Sequence, residues 1–187
     1  MKKVLAILCV LAMVFSFAAC SSSKKNEKEE EKSSYEDAVE IYQKAMSGDF
    51  KQIKKMIPEE VWELYEEETG ESIDDLIEEM EDSYADYKEE LKEEFGSDFK
   101  VTVSVAEAEQ CDEDMLDKIA EAINEEYEIK KSNITDAYEV TLTLKIKGSE
   151  DTETEEEEAY IVQISNDWYI VSYYEYEDEA YVSFAFM

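Results

Sequence analysis

Between residues 138 and 146 every second residue is apolar. Tyr138, Val140, Leu142, Leu144 and Ile146 alternate with glutamate, threonine and lysine. That period belongs to a strand with one buried face. Much of the chain before it runs on a different period. Ile73, Leu76, Ile77, Met80, Tyr84, Tyr87, Leu91 and Phe95 recur at spacings of three and four, with acids on the opposite side. This is the stripe of a surface helix. A chain whose period changes from helical to extended part-way along cannot be an all-helical bundle or an all-strand sandwich.

The remaining segments extend the pattern. Tyr35, Ala38, Val39, Tyr42, Ala45 and Met46 form a helical stripe over 35–47, which Gly48 ends. Asp49 precedes a short helix holding Phe50, Ile53, Met56 and Ile57, and Pro58 opens a further turn or two through Val61, Trp62 and Tyr65. Ser72 stands as the cap of the long helix, with Asp74 and Asp75 in its first turn. Phe99, Val101, Val103 and Val105 alternate as a strand, and residues 112–127 return to helix with Met115, Leu116, Ile119, Ala122, Ile123 and Tyr127 on one side. After the strand at 138–146, residues 148–158 read as an acidic connection. Tyr160, Val162 and Ile164 then read as a strand, Asn166–Asp167 as a tight turn into 168–174, and 181–186 as a short last strand. The expected architecture is α+β, with N-terminal helices covering one face of a curved antiparallel sheet.

The N-terminus carries a separate message. Lys2 and Lys3 precede an apolar run from Val4 to Phe17, followed by the small residues Ala18 and Ala19 and then Cys20. A basic start, a short apolar core and small residues before a cut describe a secretory signal peptide. The run is shorter than the roughly 20 residues a membrane span needs. Phe17-Ala18-Ala19-Cys20 resembles the lipobox of bacterial lipoproteins, with Phe17 where leucine is usual. In that family the cysteine thiol is lipidated and becomes the mature N-terminus. Residues 21–34, SSSKKNEKEEEKSS, contain no apolar residue and cannot bury enough surface to order themselves. The expected organisation is a signal peptide over 1–19, a lipidated Cys20 with a flexible tether over 20–34, and one domain over 35–187. The protein is then extracytoplasmic and held to the membrane by lipid on Cys20.

Composition excludes several functions. Acids outnumber bases 51 to 18, and every base is lysine. Such a chain is repelled by the phosphates of nucleic acid and by anionic lipid headgroups. With no histidine, the commonest general base and the commonest metal ligand are both missing. Cys9 lies in the signal and Cys20 carries lipid, so Cys111 has no internal disulfide partner. Asp112, Glu113 and Asp114 beside it disfavour a reactive thiolate, and it reads as a small packing residue. The acidic run at 150–158 lacks the spacing of a calcium loop. These residues lead us to expect no cofactor, no metal and no enzymatic activity.

Three segments carry a family likeness: AMSGDF at 45–50, ITDAYEVTLTL at 134–144 and IVQISNDWYIVS at 161–172. In them residues 35–174 resemble the small extracytoplasmic lipoprotein domains of Gram-positive bacteria. Those domains resemble in turn the nuclear transport factor 2-like, cystatin-like cone fold. The resemblance implies a pocket between the first helices and the concave sheet face, and it supplies no catalytic residues. Trp62, Tyr65, Trp168 and Tyr169 are the candidate ligand-binding residues, with closure of the cone as core the competing assignment. Tyr169, Tyr173, Tyr174 and Tyr176 are candidates for an outer contact face. The expected function is a non-catalytic binding or interaction module for a cell-envelope protein, peptide or wall component. A small-molecule carrier and a ketosteroid isomerase-like enzyme are the alternatives.

Overall fold

The structure is a computed structural model that describes residues 34–176 and 179–185. The segments expected as signal peptide and tether, with Cys20, lie outside the described residues up to residue 33, as does Phe186. Ser34 belongs to the folded part rather than the tether. It caps the first helix, and its backbone N–H donates to Asp37 Oδ2 at 2.9 Å.

Helix α1 spans Tyr35–Met46 and is followed by a 3-10 segment over Phe50–Lys55. Helix α2 (Glu59–Thr69) is about three turns long, more than the turn or two that the sequence indicated. Gly70 ends it at φ 72°, the left-handed conformation that glycine reaches at least cost. Helix α3 (Ile73–Phe95) starts at Ser72, whose Oγ accepts the Asp75 N–H at 3.2 Å. Strand β1 (Lys100–Gln110) runs five residues beyond the expected Val105. Helix α4 (Glu113–Tyr127) is capped by Asp112, whose Oδ1 accepts the Met115 N–H at 2.9 Å. Asp112→Ala should therefore lower stability by about 1 kcal/mol. A thermal melt would register this as a fall of roughly 2–4 °C; an unchanged melt would mean that the cap contributes nothing.

The sheet is a meander in the order β1-β2-β3-β4-β5, antiparallel throughout. Its later strands are β2 (Ile134–Lys147), β3 (Thr152–Ile164), β4 (Asp167–Tyr176) and β5 (Glu179–Phe184). Strands β1 and β2 are neighbours although α4 intervenes in sequence. Irregularities at Val105/Glu107 and at Ile134/Asp136 break the register and bend the sheet.

Two local readings are corrected. The connection after β2 is only residues 148–151. Thr152–Glu158 continue as strand, paired residue for residue with Lys147–Thr141. Glutamate is a poor strand former, so the local signal reads as loop, and the ladder supplied by β2 overrides it. The β3–β4 turn is Ser165–Asn166, one residue earlier than expected. Ser165 carries a φ of 61°, and Ile164 pairs with Asp167.

The core joins both faces of the sheet. Helix α1 lies against the face that carries Leu142, Leu144, Ile161 and Trp168. Tyr42, Met46 and Phe50 are buried there. Helix α4 covers the other face around Val162, Val171 and Phe184. Its Tyr127 ring lies 5.2 Å from Phe184, and the Tyr127 hydroxyl donates to the Val182 carbonyl at 3.3 Å. Helix α1 covers one face as expected, while α2 contacts α4, which covers the second. This is why residues 159–164 read poorly as a simple alternation: Ala159, Ile161, Val162 and Ile164 are all buried.

The β3–β4 ladder is short. It runs from Ile164–Asp167 to Tyr160–Val171 and stops. Beyond that point β4 pairs, among the described residues, with β5 alone, out to Tyr176 opposite Glu179.

Candidate functional site

The four candidate ligand-binding residues fall into separate neighbourhoods. Trp62 and Tyr65 share one face of α2, with ring centroids 5.9 Å apart and planes perpendicular. Trp62 is buried, and its indole N–H has no hydrogen-bond partner among the described residues. Trp168 and Tyr169 are consecutive on β4 and so face opposite sides of the sheet. Trp168 joins Tyr138 (5.7 Å) and Tyr35 (6.4 Å) on the α1 side. Tyr169 meets Phe184 edge-on at 6.0 Å on the α4 side. Burial, reinforced by Asp167 and Glu60, pushes the Tyr169 hydroxyl up to about 12.

Trp168 and Tyr169 come together at the start of β4, where they line a hollow of about 290 Å³ with Ile41, Lys54, Lys55 and Asp167. Trp62 and Tyr65 do not line it. Lys54 is held by Asp74 at 2.6 Å. The hollow is at the small end of ligand pockets. It offers aromatic edges, two lysines and the carboxylates of Asp37, Glu59 and Asp167 to a small polar molecule.

Among the described residues no group of three or more cysteines, aspartates or glutamates is arranged to hold a metal ion. Cys111 is half-buried and packed against the core. Burial raises its thiol, and Glu139, Asp112 and Asp136 add to the effect. The thiolate is therefore disfavoured.

The exposed aromatic surface lies elsewhere. Tyr174, Tyr176 and Tyr181 are 59%, 61% and 39% exposed and are the large exposed hydrophobic residues among those described. Tyr174 and Tyr181 pair across β4 and β5, stacked at 5.2 Å with their planes 13° apart. Tyr176 lies two residues along on the same face. The Tyr181 hydroxyl donates to Glu179 Oε2 at 2.7 Å.

Comparison with protein-family models, curated proteins and solved structures gives no match.

The tyrosines proposed from sequence as one outer face are divided by the pleat. Tyr174 and Tyr176 are on the exposed strip. Tyr173 points to the α4 side, with its ring 5.9 Å from Tyr160 and its hydroxyl donating to Glu175 at 2.9 Å. Lys118 of α4 holds that same carboxylate at 2.9 Å. Tyr181 was missed. Only the register, which sets it opposite Tyr174, places it on the strip, and a strand's register cannot be read from its own residues.

Proposed function

We propose that this chain is an extracytoplasmic lipoprotein anchored through Cys20, whose domain is a non-catalytic interaction module. The nuclear transport factor 2-like cone is the fold family we propose for it. The observation that carries the reading is the tyrosine strip. Monomeric proteins leave single apolar side chains exposed at random. Here the large exposed ones gather on one face of one hairpin. Tyrosine supplies broad contact area with a polar tip, which suits recognition in water. The partner is an envelope protein or peptide and not nucleic acid, in keeping with a formal charge of −33. Small-molecule carriage is the second reading, favoured by the hollow that Trp168 and Tyr169 line.

Two measurements test the proposal. Fractionation of cells should place the chain with membranes and Cys20→Ser in the soluble fraction; equal partition would remove the anchor. A photo-crosslinking residue at position 174 should give a discrete adduct in the envelope. That adduct should disappear when Tyr176 and Tyr181 are changed to serine, with the melting temperature held within about 2 °C. Absence of any adduct from the unaltered strip would sink the interaction reading.

A further inference from the structure

Past Tyr160 and Val171 the strands β3 and β4 part. Residues 152–159 of β3 keep β2 on one side, and no described strand pairs with the other. Residues 172–176 of β4 keep β5 and are likewise unpaired toward β3. Each of these edges presents backbone N–H and C=O groups without a ladder. The β3 edge is eight residues long, about 26 Å of extended chain.

Its side chains are mostly acids: Glu153, Glu155, Glu156, Glu157 and Glu158. None of the five is in an ion pair or side-chain hydrogen bond among the described residues. Glu157 is half-buried, and burial together with Glu155 holds its carboxyl above the usual range. The β4 edge adds Tyr174 and Tyr176, whose ring faces attract cations.

We infer that the parted edges of β3 and β4 receive an extended, lysine-rich segment of a partner protein as an added strand. The inference rests on the interaction-module reading and gives the partner its chemistry. Charge selects the occupant. A second copy of this chain would set glutamate against glutamate, which is destabilising at cross-strand positions. The chain's own residues 20–34 carry four lysines against four glutamates and have no net attraction for the site. Glu153, Glu155 and Glu157 lie on one face of the edge and Glu156 and Glu158 on the other, so a strand with lysine at alternate positions sets its lysines against one of these sets while its backbone satisfies the edge. Charged edges also guard proteins against aggregation. That guard stops neutral or acidic strands and admits a basic one.

The test uses the full chain in detergent micelles and a fluorescent octapeptide of alternating lysine and threonine. The control is alternating lysine and proline, with equal charge but fewer backbone donors. The lysine–threonine peptide should bind about 10-fold tighter than the control. Binding should slow amide exchange along 152–159 and 172–176. Glu155→Lys with Glu156→Lys should weaken it about 10-fold, and Glu155→Gln with Glu156→Gln less so, both at unchanged melting temperature. Equal affinity for the two peptides, no binding, or protection confined to other segments would each overturn the inference. Crosslinking at position 174 would still decide the interaction reading separately.

Discussion

Gly148→Ala is expected to destabilise the protein by about 3 kcal/mol, a fall of roughly 6–12 °C in melting temperature. A Cβ at this position would sit 1.6 Å from the Phe95 carbonyl oxygen and 2.5 Å from its carbon. Both are backbone atoms at the end of α3 and cannot swing aside. The contact also matters to the turn. The Gly148 N–H donates to the Asp151 carbonyl at 3.0 Å, and the Glu150 N–H donates to that same Phe95 oxygen at 3.2 Å. Asp98 holds Ser149 through its hydroxyl at 2.7 Å. Pushing Gly148 outward therefore lifts the β2–β3 turn off the helix. Gly70→Ala is the natural comparison. No atom lies within 4 Å of its added Cβ, and the cost is confined to a left-handed φ of 72°, about 1 kcal/mol. Urea unfolding of both variants checks the ranking; equal losses would show that the Phe95 contact relaxes freely.

Alkaline pH should produce the other large effect. Burial pushes the hydroxyls of Tyr127 and Tyr169 up to about 12, and that of the more deeply buried Tyr42 higher still. An unfolded tyrosine ionises near 10. The folded state thus retains protons that the unfolded state releases, so this stability is fully present below pH 10. It is lost as pH rises through 10 toward 12 and beyond. Each such group contributes a slope of about 1.4 kcal/mol per pH unit. Tyr127 and Tyr169 count for less than this because each is only partly buried. A total loss of about 3 kcal/mol between pH 9.5 and 11.5 is expected. The carboxylates are ionised throughout this window and contribute nothing to it. Urea midpoints at successive pH values should fall more gently for Tyr42→Phe; parallel curves would remove Tyr42 from the account.

Much of the fold was legible because the long elements carry strong periods. The α3 stripe, the Ser72 cap and the β2 alternation each state their structure within a few residues. Thr152–Glu158 could not be read, since a run of glutamates becomes strand only through the ladder that β2 provides. The two-sided burial of 159–164 was obscured for a related reason, because α4 covers a face that local alternation treats as solvent. The candidate site was less legible than the fold. Trp168 and Tyr169 were found through residue type, but adjacency in sequence sets them on opposite faces. The tyrosine strip needed the pairing of Tyr174 with Tyr181. The parted edges are defined by where pairing ends, which no single segment encodes.

The placement of α4 between β1 and β2 bears on the order in which the protein can fold. Among the described residues strand β1 has one ladder partner, β2, and β2 is made only after β1 and α4 are complete. A chain emerging from its N-terminus delivers α1, α2, α3 and β1 while the sheet that buries their apolar faces does not yet exist. Pairing across such a separation carries a loop-closure cost before it yields contacts. Assembly therefore waits for the C-terminal meander. The N-terminal half spends synthesis with its hydrophobic stripes uncovered, and the dense acids on the outer faces of those helices keep neighbouring nascent chains apart during that interval.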